Sequence, residues 1–313
     1  MENFLVSVRA VFPMFAILSI GYFVRRKGMV DQHSLKQMNS VCFKVCMAAL
    51  MFQNVYTLDF EQDLQPKLMF FTAGALAFVI LTTIFLVLKV EPENRKRGVM
   101  IQATFRSNFV VLGLPIVASV FGDTALGVPT TLICLIVPFY NVFSVIVLSY
   151  FGSGQPTLKR LAKEVALNPY ILAGACAAVC LLLRIHLPEL IYGVVEDLGA
   201  VASPLALLIL GASFTFGNFK KYIKELLLCC SFRLVIFPGI VIGTAILLGF
   251  RGVELLSLTA LFATPTAIAS HAMAQQLGGD ADLAGAAVVA TTSLSLITLF
   301  LWIFALKSFG LLM

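Results

Sequence analysis

The amino-acid sequence predicts an all-α integral membrane protein with ten transmembrane helices, and three observations support that fold class. The chain of 313 residues is 60% hydrophobic and only 12% charged, with a mean hydropathy of +0.98, whereas a soluble domain carries about 25% charged residues. Apolar runs recur at the length that a bilayer requires, about 20 residues at 1.5 Å rise per residue. The basic residues behind the net charge of +6 cluster in short connections, which indicates topology signals rather than a nucleic-acid-binding surface.

Ten apolar spans account for most of the chain, and the connections between them are too short to form a soluble domain. We predict membrane-spanning helices at residues 4–24, 34–56, 67–89, 98–121, 125–150, 168–185, 190–215, 226–249, 254–276 and 282–306. Because the first span has neither a basic leader nor a small-residue cleavage site, we expect a retained helix rather than a signal peptide. The stretch 157–165 predicts a short helix that lies on the cytoplasmic membrane surface.

Charge alternates between the connections. Basic clusters follow spans 1, 3, 5 and 7: 25–27, Lys89 with 95–97, Lys159, Arg160 and Lys163, and Lys220, Lys221 and Lys224. The intervening connections are poor in basic residues, and the one after span 2 is acidic, with Asp59, Glu61 and Asp63. The positive-inside rule therefore predicts a multi-pass protein with the basic connections in the cytoplasm and both chain termini outside.

The chain also shows signs of an internal duplication. Spans 4 and 9 each contain a proline deep inside an apolar run, Pro115 and Pro265, and both runs close with Gly-Asp. The prolines lie about half a chain length apart. Since each half has an odd number of spans, the halves take opposite orientations, as in many secondary transporters. We therefore predict two inverted five-helix repeats, 1–150 and 168–313, joined by a cytoplasmic linker at 151–167.

The two prolines predict broken helices. A proline removes one backbone hydrogen bond from a helix interior, and an unpaired backbone group in hydrocarbon costs several kcal/mol unless it lines a cavity or finds a partner. We predict that spans 4 and 9 cross at their breaks and that two half-helices begin at about Pro115 and Thr266. Helix N-termini carry partial positive charge and free N–H donors, so the pair favours an anion such as a carboxylate.

The candidate binding residues are the break residues and nearby polar residues. Spans 4 and 9 supply Asn108, Gly113, Leu114, Pro115, Thr264, Pro265, Thr266 and Ser270, and spans 2 and 5 supply Gln53, Asn54 and Asn141. Since no carboxylate lies clearly at a midplane, the candidates for ion coupling are His271, Asp197, Lys44 and Arg233. The alternative for His271 is a hydrogen-bonded core residue.

Basic side chains within spans have two interpretations. They face protein or water inside the bundle, or they snorkel to the membrane interface. We expect snorkelling for Arg9 and Arg106, and interior positions for Lys44 and Arg233.

No enzyme activity or cofactor is expected. The sequence contains no HExxH, no GxSxG and no paired intramembrane aspartates.

All seven cysteines lie in apolar runs. Cys42 and Cys46, like Cys176 and Cys180, are four residues apart and share a helix face, a spacing that fits either a metal site or simple packing. We expect packing, and no metal.

Three segments resemble helices of a known family. SNFVVLGLPIVASVFGD (107–123) resembles the fourth helix of the auxin efflux carrier family, in which Asn108, Gly113 and Pro115 match the motif. ATPTAIASHAMAQQLGGDADLA (263–284) resembles the ninth helix of its prokaryotic members and includes the matching Pro265, and SPLALLILGASF (203–214) resembles the seventh. The resemblance spans the chain. A long cytoplasmic loop typical of plant members is absent, and Ala48 replaces a proline often found in the second helix.

The resemblance implies an architecture and a function. It implies the fold of bile-acid symporters and sodium–proton antiporters, with scaffold helices 1, 2, 6 and 7 and a transport domain of helices 3–5 and 8–10. It also implies elevator-type transport of a small organic anion, such as malate, malonate or an auxin-like acid, across the plasma membrane. By family analogy the protein is expected to form a homodimer, with the anion and the bilayer as its other partners and no nucleic acid.

The sequence leaves three alternatives. Two broken helices could line an anion channel, although crossed breaks fit an occluded site better. A membrane-embedded enzyme lacks a supporting motif. A sodium-coupled organic anion symporter of the bile-acid transporter group would have the same fold; the absence of a midplane carboxylate instead predicts no sodium requirement, with protons coupled through His271 or Asp197.

Overall fold

The structure, a computed structural model, describes residues 2–57, 65–152, 158–214 and 217–312. Within these ranges the protein is helical and contains no β-strand, which confirms the all-α prediction. The helices are α1 (Glu2–Arg26), α2 (Gln32–Val41), α3 (Met47–Tyr56), α4 (Pro66–Val90), α5 (Asn94–Phe105), α6 (Leu114–Phe121), α7 (Gly127–Gly152), α8 (Leu158–Ala166), α9 (Pro169–Leu182), α10 (Glu189–Ser213), α11 (Gly217–Lys221), α12 (Ile223–Ser231), α13 (Phe237–Leu247), α14 (Gly252–Ala263), α15 (Ala269–Gln276) and α16 (Ala281–Ser308). The acidic connection at 59–63 lies outside the described residues.

In the described part of the chain, three π-helical segments, with wider turns than an α-helix, continue the α-helices. Cys42–Cys46 joins α2 to α3, Phe109–Gly113 leads into α6, and Phe232–Ile236 joins α12 to α13. Such segments are rare and often occur at functional sites. One of them, Phe109–Gly113, lies in a broken helix described below.

The length and composition of several helices indicate a multi-pass membrane protein. Among the described residues, five helical stretches are long and apolar enough to cross a bilayer: α4, α7, α10, α12–α13 and α16. Large apolar side chains on them are exposed, for example Phe70 on α4, Leu190 on α10 and Leu247 on α13. Shorter apolar helices occupy Phe109–Phe121, Pro169–Leu182 and Gly252–Ala263. The number of crossings stays a prediction.

A short helix is present where the basic stretch 157–165 predicted one. This helix, α8, contains Lys159, Lys163 and the apolar Leu158, Leu161 and Val165. The prediction of a helix is confirmed, while its position on the membrane surface stays a prediction.

Both proline-containing spans are broken, but the first break is not where the proline predicted it. Helix α5 ends at Phe105, and the extended Arg106 (φ −83°, ψ 107°) leads to a new helical run from Phe109. Pro115 lies further along, at the start of α6, so the predicted half-helix start at Pro115 is wrong. The N–H of Leu114 already bonds Phe109 O, five residues back; this wide turn explains how a residue without an N–H fits here.

The second break is close to its predicted place. Helix α14 ends at Ala263 and α15 begins at Ala269. Thr264 is extended (φ −69°, ψ 153°), as expected for a residue that precedes a proline. The new helix therefore starts three residues after the predicted Thr266.

The helices pack in two groups, and α1 and α16 join these groups by packing against each other. Helix α1 packs along α10, and α3 packs against α9 and α10. In the second group α5 packs against α4 and α7, α13 against α14, and α12 and α15 against α16. Glycine permits the closest approach in the first group, because a Cβ added at Gly211 of α10 would overlap the backbone carbonyl of Leu18 in α1.

Candidate functional site

The two broken stretches pair with each other through their backbones. Asn108 N donates to Pro265 O at 2.8 Å, and Ala267 N donates to Arg106 O at 3.2 Å. Ser107 and Thr266 thereby form an isolated antiparallel bridge. Each extended stretch supplies the hydrogen-bond partners that the other needs, which offsets the cost of unpaired backbone groups in an apolar interior.

Two half-helices begin beside this bridge. The N–H groups of residues 109–111 have no acceptor among the described residues, and the same holds for Ile268 and Ala269. Leu112 N is the first donor of that run to find a backbone acceptor, Asn108 O at 3.0 Å. Both ends therefore present free donors and the partial positive charge of a helix N-terminus.

A cavity of about 100 Å³ lies against these two N-termini. It is small beside the roughly 300–1,000 Å³ of pockets that hold drug-sized ligands. Its lining consists of Leu50, Asn54, Arg106, Ser107, Asn108, Phe109, Val110, Val111, Ile136, Val137, Tyr140, Asn141, Tyr170, Ser203, Ala267, Ile268 and Ala269. The size and the polar groups suit a small solute.

Arg106 is the charged residue of the cavity, and it is buried, with 6% of its surface exposed. Its guanidinium donates to Asn141 Oδ1 at 2.8 Å and to Ser144 Oγ at 3.1 Å, and it contacts Tyr170 OH at 3.4 Å and Met273 Sδ at 3.0 Å. All of these partners are neutral. Within the described ranges no carboxylate lies within ion-pair distance of it.

The expectation that Arg106 snorkels to the interface is therefore wrong. A long basic side chain can reach the interface from a helix end, but α5 ends at Phe105 and leaves Arg106 in the break itself. Its side chain points to α7 and α15 instead of following the helix surface. The expectation for Arg9 concerns a side chain outside the described part.

Asn108 provides an unused side-chain donor. The residue is 5% exposed and lines the cavity, and its side-chain amide nitrogen has no hydrogen-bond partner in the structure. A buried polar group without a partner costs roughly 1–3 kcal/mol. A cation without a counter-charge and an amide without an acceptor therefore lie in the same small cavity.

Of the predicted binding residues, Asn54, Asn108 and Asn141 line the cavity. Thr264, Pro265 and Thr266 form the second break, where Thr266 Oγ1 also donates to Ala103 O at 2.7 Å. Ser270 is buried in α15, and its hydroxyl has no partner in the structure.

The remaining predicted binding residues lie away from the cavity. Gly113 is buried against the ring of Phe109, whereas Leu114 is half-buried and Pro115 is exposed at the start of α6. Gln53 packs beside Gly199 of α10.

None of the four coupling candidates lines the cavity. His271 is buried and faces a narrow crevice that includes Ser213 and Asp282. Asp197 and Lys44 are exposed, so the expectation of an interior position for Lys44 is wrong. Arg233 is buried against the backbones of the two broken helices. Their roles in coupling stay predictions.

Sequence reasoning missed several lining residues. Tyr140 and Tyr170 contribute hydroxyls, and Tyr170 OH donates to Asn141 Oδ1 at 2.8 Å. No local pattern marks these tyrosines. Arg106 did carry a signal, because it directly precedes the Ser-Asn pair of the fourth-helix motif.

Comparisons with known proteins identify the family. A family model described as "Membrane transport protein" matches residues 6–164 and 155–303. An uncharacterized transporter of Methanothermobacter thermautotrophicus is 25% identical over 322 residues, covering 96% of this chain and 98% of the relative. An uncharacterized transporter of Methanocaldococcus jannaschii is 21% identical, covering 95% and 98%.

A third relative, from Rhizobium meliloti, has the name "Putative malonate transporter". It is 23% identical over 297 residues, covering 92% of each chain. The family match spans most of the sequence and confirms the resemblance noted in its motifs. The chain belongs to the membrane transport protein family, that of the auxin efflux carriers, and is a multi-pass membrane transporter rather than an enzyme.

Proposed function

We propose that the protein is a secondary transporter that moves a small organic anion across the plasma membrane and binds it where helices 4 and 9 cross. The substrate class is a carboxylate such as malonate, malate or an auxin-like acid. The observation that carries the proposal is Arg106, a buried cation in the cavity with neutral partners alone among the described residues.

The electrostatics of the cavity favour a carboxylate over a neutral or cationic solute. A buried unpaired charge is costly, and a guanidinium binds a carboxylate through paired, charge-assisted hydrogen bonds. The free N–H groups of the two half-helices add fixed positive potential, and the Asn108 amide adds one more donor. A substrate carboxylate would satisfy all three groups together.

The size of the cavity favours a compact acid. About 100 Å³ suits a short-chain carboxylate better than an indole acid. The name of the Rhizobium relative refers to malonate, and a compact dicarboxylate of that kind is consistent with the cavity. We therefore place malonate and similarly small acids ahead of auxin-like acids as substrates.

We propose an elevator-type mechanism in a protein with ten crossings and two inverted repeats, and the position of the cavity supports the elevator motion. The cavity lies between the two packing groups: Asn54, Tyr170 and Ser203 come from α3, α9 and α10, whereas Arg106 and Asn108 come from the broken helix. In this proposal helices 1, 2, 6 and 7 form the scaffold, helices 3–5 and 8–10 carry the substrate, and sliding between them exposes the cavity alternately.

Counterflow in proteoliposomes tests the proposal. Vesicles loaded with unlabelled malonate should accumulate labelled malonate transiently, and other short dicarboxylates and monocarboxylates should compete, while indole acids should compete weakly. Saturation and counterflow are expected of a carrier and not of a channel. Failure of every carboxylate to bind or exchange, with a control protein active in the same vesicles, would overturn the assignment.

The topology is a separate prediction. Basic connections at 91–97 and 155–166, on either side of spans 4 and 5, are expected in the cytoplasm, and both termini outside. Single cysteines introduced at Lys96 and Lys159 in a chain without its native cysteines should resist an impermeant thiol reagent in intact cells and react after permeabilisation. Ready labelling of either position in intact cells would reverse the proposed orientation.

A further inference from the structure

Arg233 is a second buried arginine, and its guanidinium binds four backbone carbonyls and lies beside the Tyr140 side chain. The side chain is 1% exposed and lies in the π-helical segment Phe232–Ile236. Nε donates to Thr264 O at 2.8 Å, Nη2 donates to Leu261 O at 2.9 Å, and Nη1 contacts Thr104 O and Phe105 O, both at 3.3 Å. Within the described part of the chain no carboxylate lies within ion-pair distance.

These four carbonyls belong to the ends of two different half-helices. Thr104 and Phe105 end α5, and Leu261 and Thr264 lie at the end of α14. A helix C-terminus carries partial negative charge and carbonyls that lack an N–H partner. A single guanidinium therefore neutralises both C-terminal ends and ties together the two segments that lead into the breaks.

The N-terminal and the C-terminal ends of the half-helices present groups of opposite polarity. The half-helix N-termini at Phe109 and Ala269 face the cavity with free donors, whereas the half-helix C-termini at Phe105 and Thr264 face Arg233 with free acceptors. Oxygen atoms grouped in this way form a cation site, and in transporters with broken helices such carbonyls coordinate sodium or protons. Here a side chain of the protein fills that position.

We infer that Arg233 is a built-in cation that holds the two breaks in register, so that the anion site forms without a bound metal cation. Because it is covalently attached, it is always present and cannot be lost to the solvent. The consequence is substrate binding that is independent of sodium and potassium. The inference concerns assembly of the site and rests on the proposed function for its substrate-binding readout.

Removal and chemical replacement of the guanidinium test the inference. Arg233→Ala leaves the four carbonyls without a cation, and we expect its affinity for malonate to fall about tenfold or more, as for loss of hydrogen bonds to a charged group. Added guanidinium ion at millimolar concentration should restore much of that affinity and raise the melting temperature of this variant. The wild-type protein should show neither response, and its affinity should be equal in sodium and potassium.

The matched control is Arg97, which also bonds backbone carbonyls, those of Glu91 and Leu88, but away from the breaks. Arg97→Ala is expected to keep the wild-type affinity for malonate. A folded Arg233→Ala protein with unchanged affinity, or with lost affinity that guanidinium does not restore, would overturn the inference. So would a sodium requirement in the wild type.

Two further measurements cover the remaining outcomes. If Arg233→Ala does not fold, Arg233→Lys and Arg233→Gln are compared: the charged lysine should retain higher affinity and melting temperature than the neutral glutamine, and equal behaviour would contradict the inference. If the wild type binds no carboxylate, the proposed function fails, while the guanidinium-dependent melting temperature of Arg233→Ala still decides whether the four carbonyls form a cation site.

Discussion

Replacement of Arg106 by glutamine is expected to weaken malonate binding by about a hundred- to several-thousandfold and to abolish measurable counterflow. The substrate carboxylate would lose its charged partner in a buried site, and removal of one partner from a buried charge pair costs about 3–5 kcal/mol. Asn108→Ala removes one neutral donor to a charged group, about 1.5–3 kcal/mol, so its affinity should fall only about ten- to hundredfold. The measurement is the equilibrium affinity of each purified variant.

Arg106→Gln has a stability signature that separates a binding role from a packing role. Without substrate, the wild-type guanidinium is a buried charge with neutral partners, so its removal relieves a desolvation cost. Asn141 Oδ1 keeps the hydrogen bond from Tyr170 OH in the variant. The melting temperature of the substrate-free protein should therefore stay the same or rise while binding is lost.

The control for charge is Lys36→Gln, which removes an exposed lysine. It should change neither melting temperature nor affinity by much. If Arg106→Gln lowers the melting temperature strongly and its folded fraction binds malonate with wild-type affinity, Arg106 is a packing residue and the proposed anion site is wrong.

The positions of the helices could be predicted because apolar run length is a local property of the chain. The predicted span 67–89 compares with Pro66–Val90 in the structure, and 282–306 compares with Ala281–Ser308. A bilayer sets nearly the same length for every crossing, so composition alone locates the spans. The residues at each helix end then shift the helix boundary by a few positions relative to the apolar run.

The register of the first break could not be predicted in the same way. It depends on hydrogen bonds between residues far apart in the chain, such as Asn108 N to Pro265 O. Pro115 marked the right helix, but the π-helical segment before it accommodates the missing N–H. The break therefore falls at Arg106–Asn108, where the partner segment supplies acceptors. In span 9 the proline lies in the break itself, and the prediction was close.

The roles of the two buried arginines also depended on tertiary structure. A basic residue within an apolar span can either snorkel or turn inward, and the sequence around Arg106 does not distinguish these. The end of α5 at Phe105 decides between these two orientations, because the chain leaves the helix there and directs Arg106 into the cavity. For Arg233 an interior position was expected, but its partners are main-chain carbonyls, which no sequence pattern identifies.

Gly211→Ala is expected to destabilise the protein by about 3 kcal/mol, with loss of folded yield and a lower melting temperature. An added methyl group normally stabilises a helix by up to about 1 kcal/mol, but at Gly211 the Cβ would overlap the carbonyl of Leu18. Helix α1 would have to move away from α10, and overpacking of this kind costs about 1–3 kcal/mol or more.

Gly243→Ala is the matched control, because a Cβ at that position of α13 meets nothing within 4 Å. It should be neutral or slightly stabilising, so the two glycine-to-alanine changes are expected to have opposite signs. Any Gly211→Ala protein that folds should bind malonate nearly as the wild type does, since Gly211 does not line the cavity. Equal melting temperatures for the two variants would show that α1 and α10 can separate at little cost, and close packing of these helices would then not be what holds the proposed scaffold together.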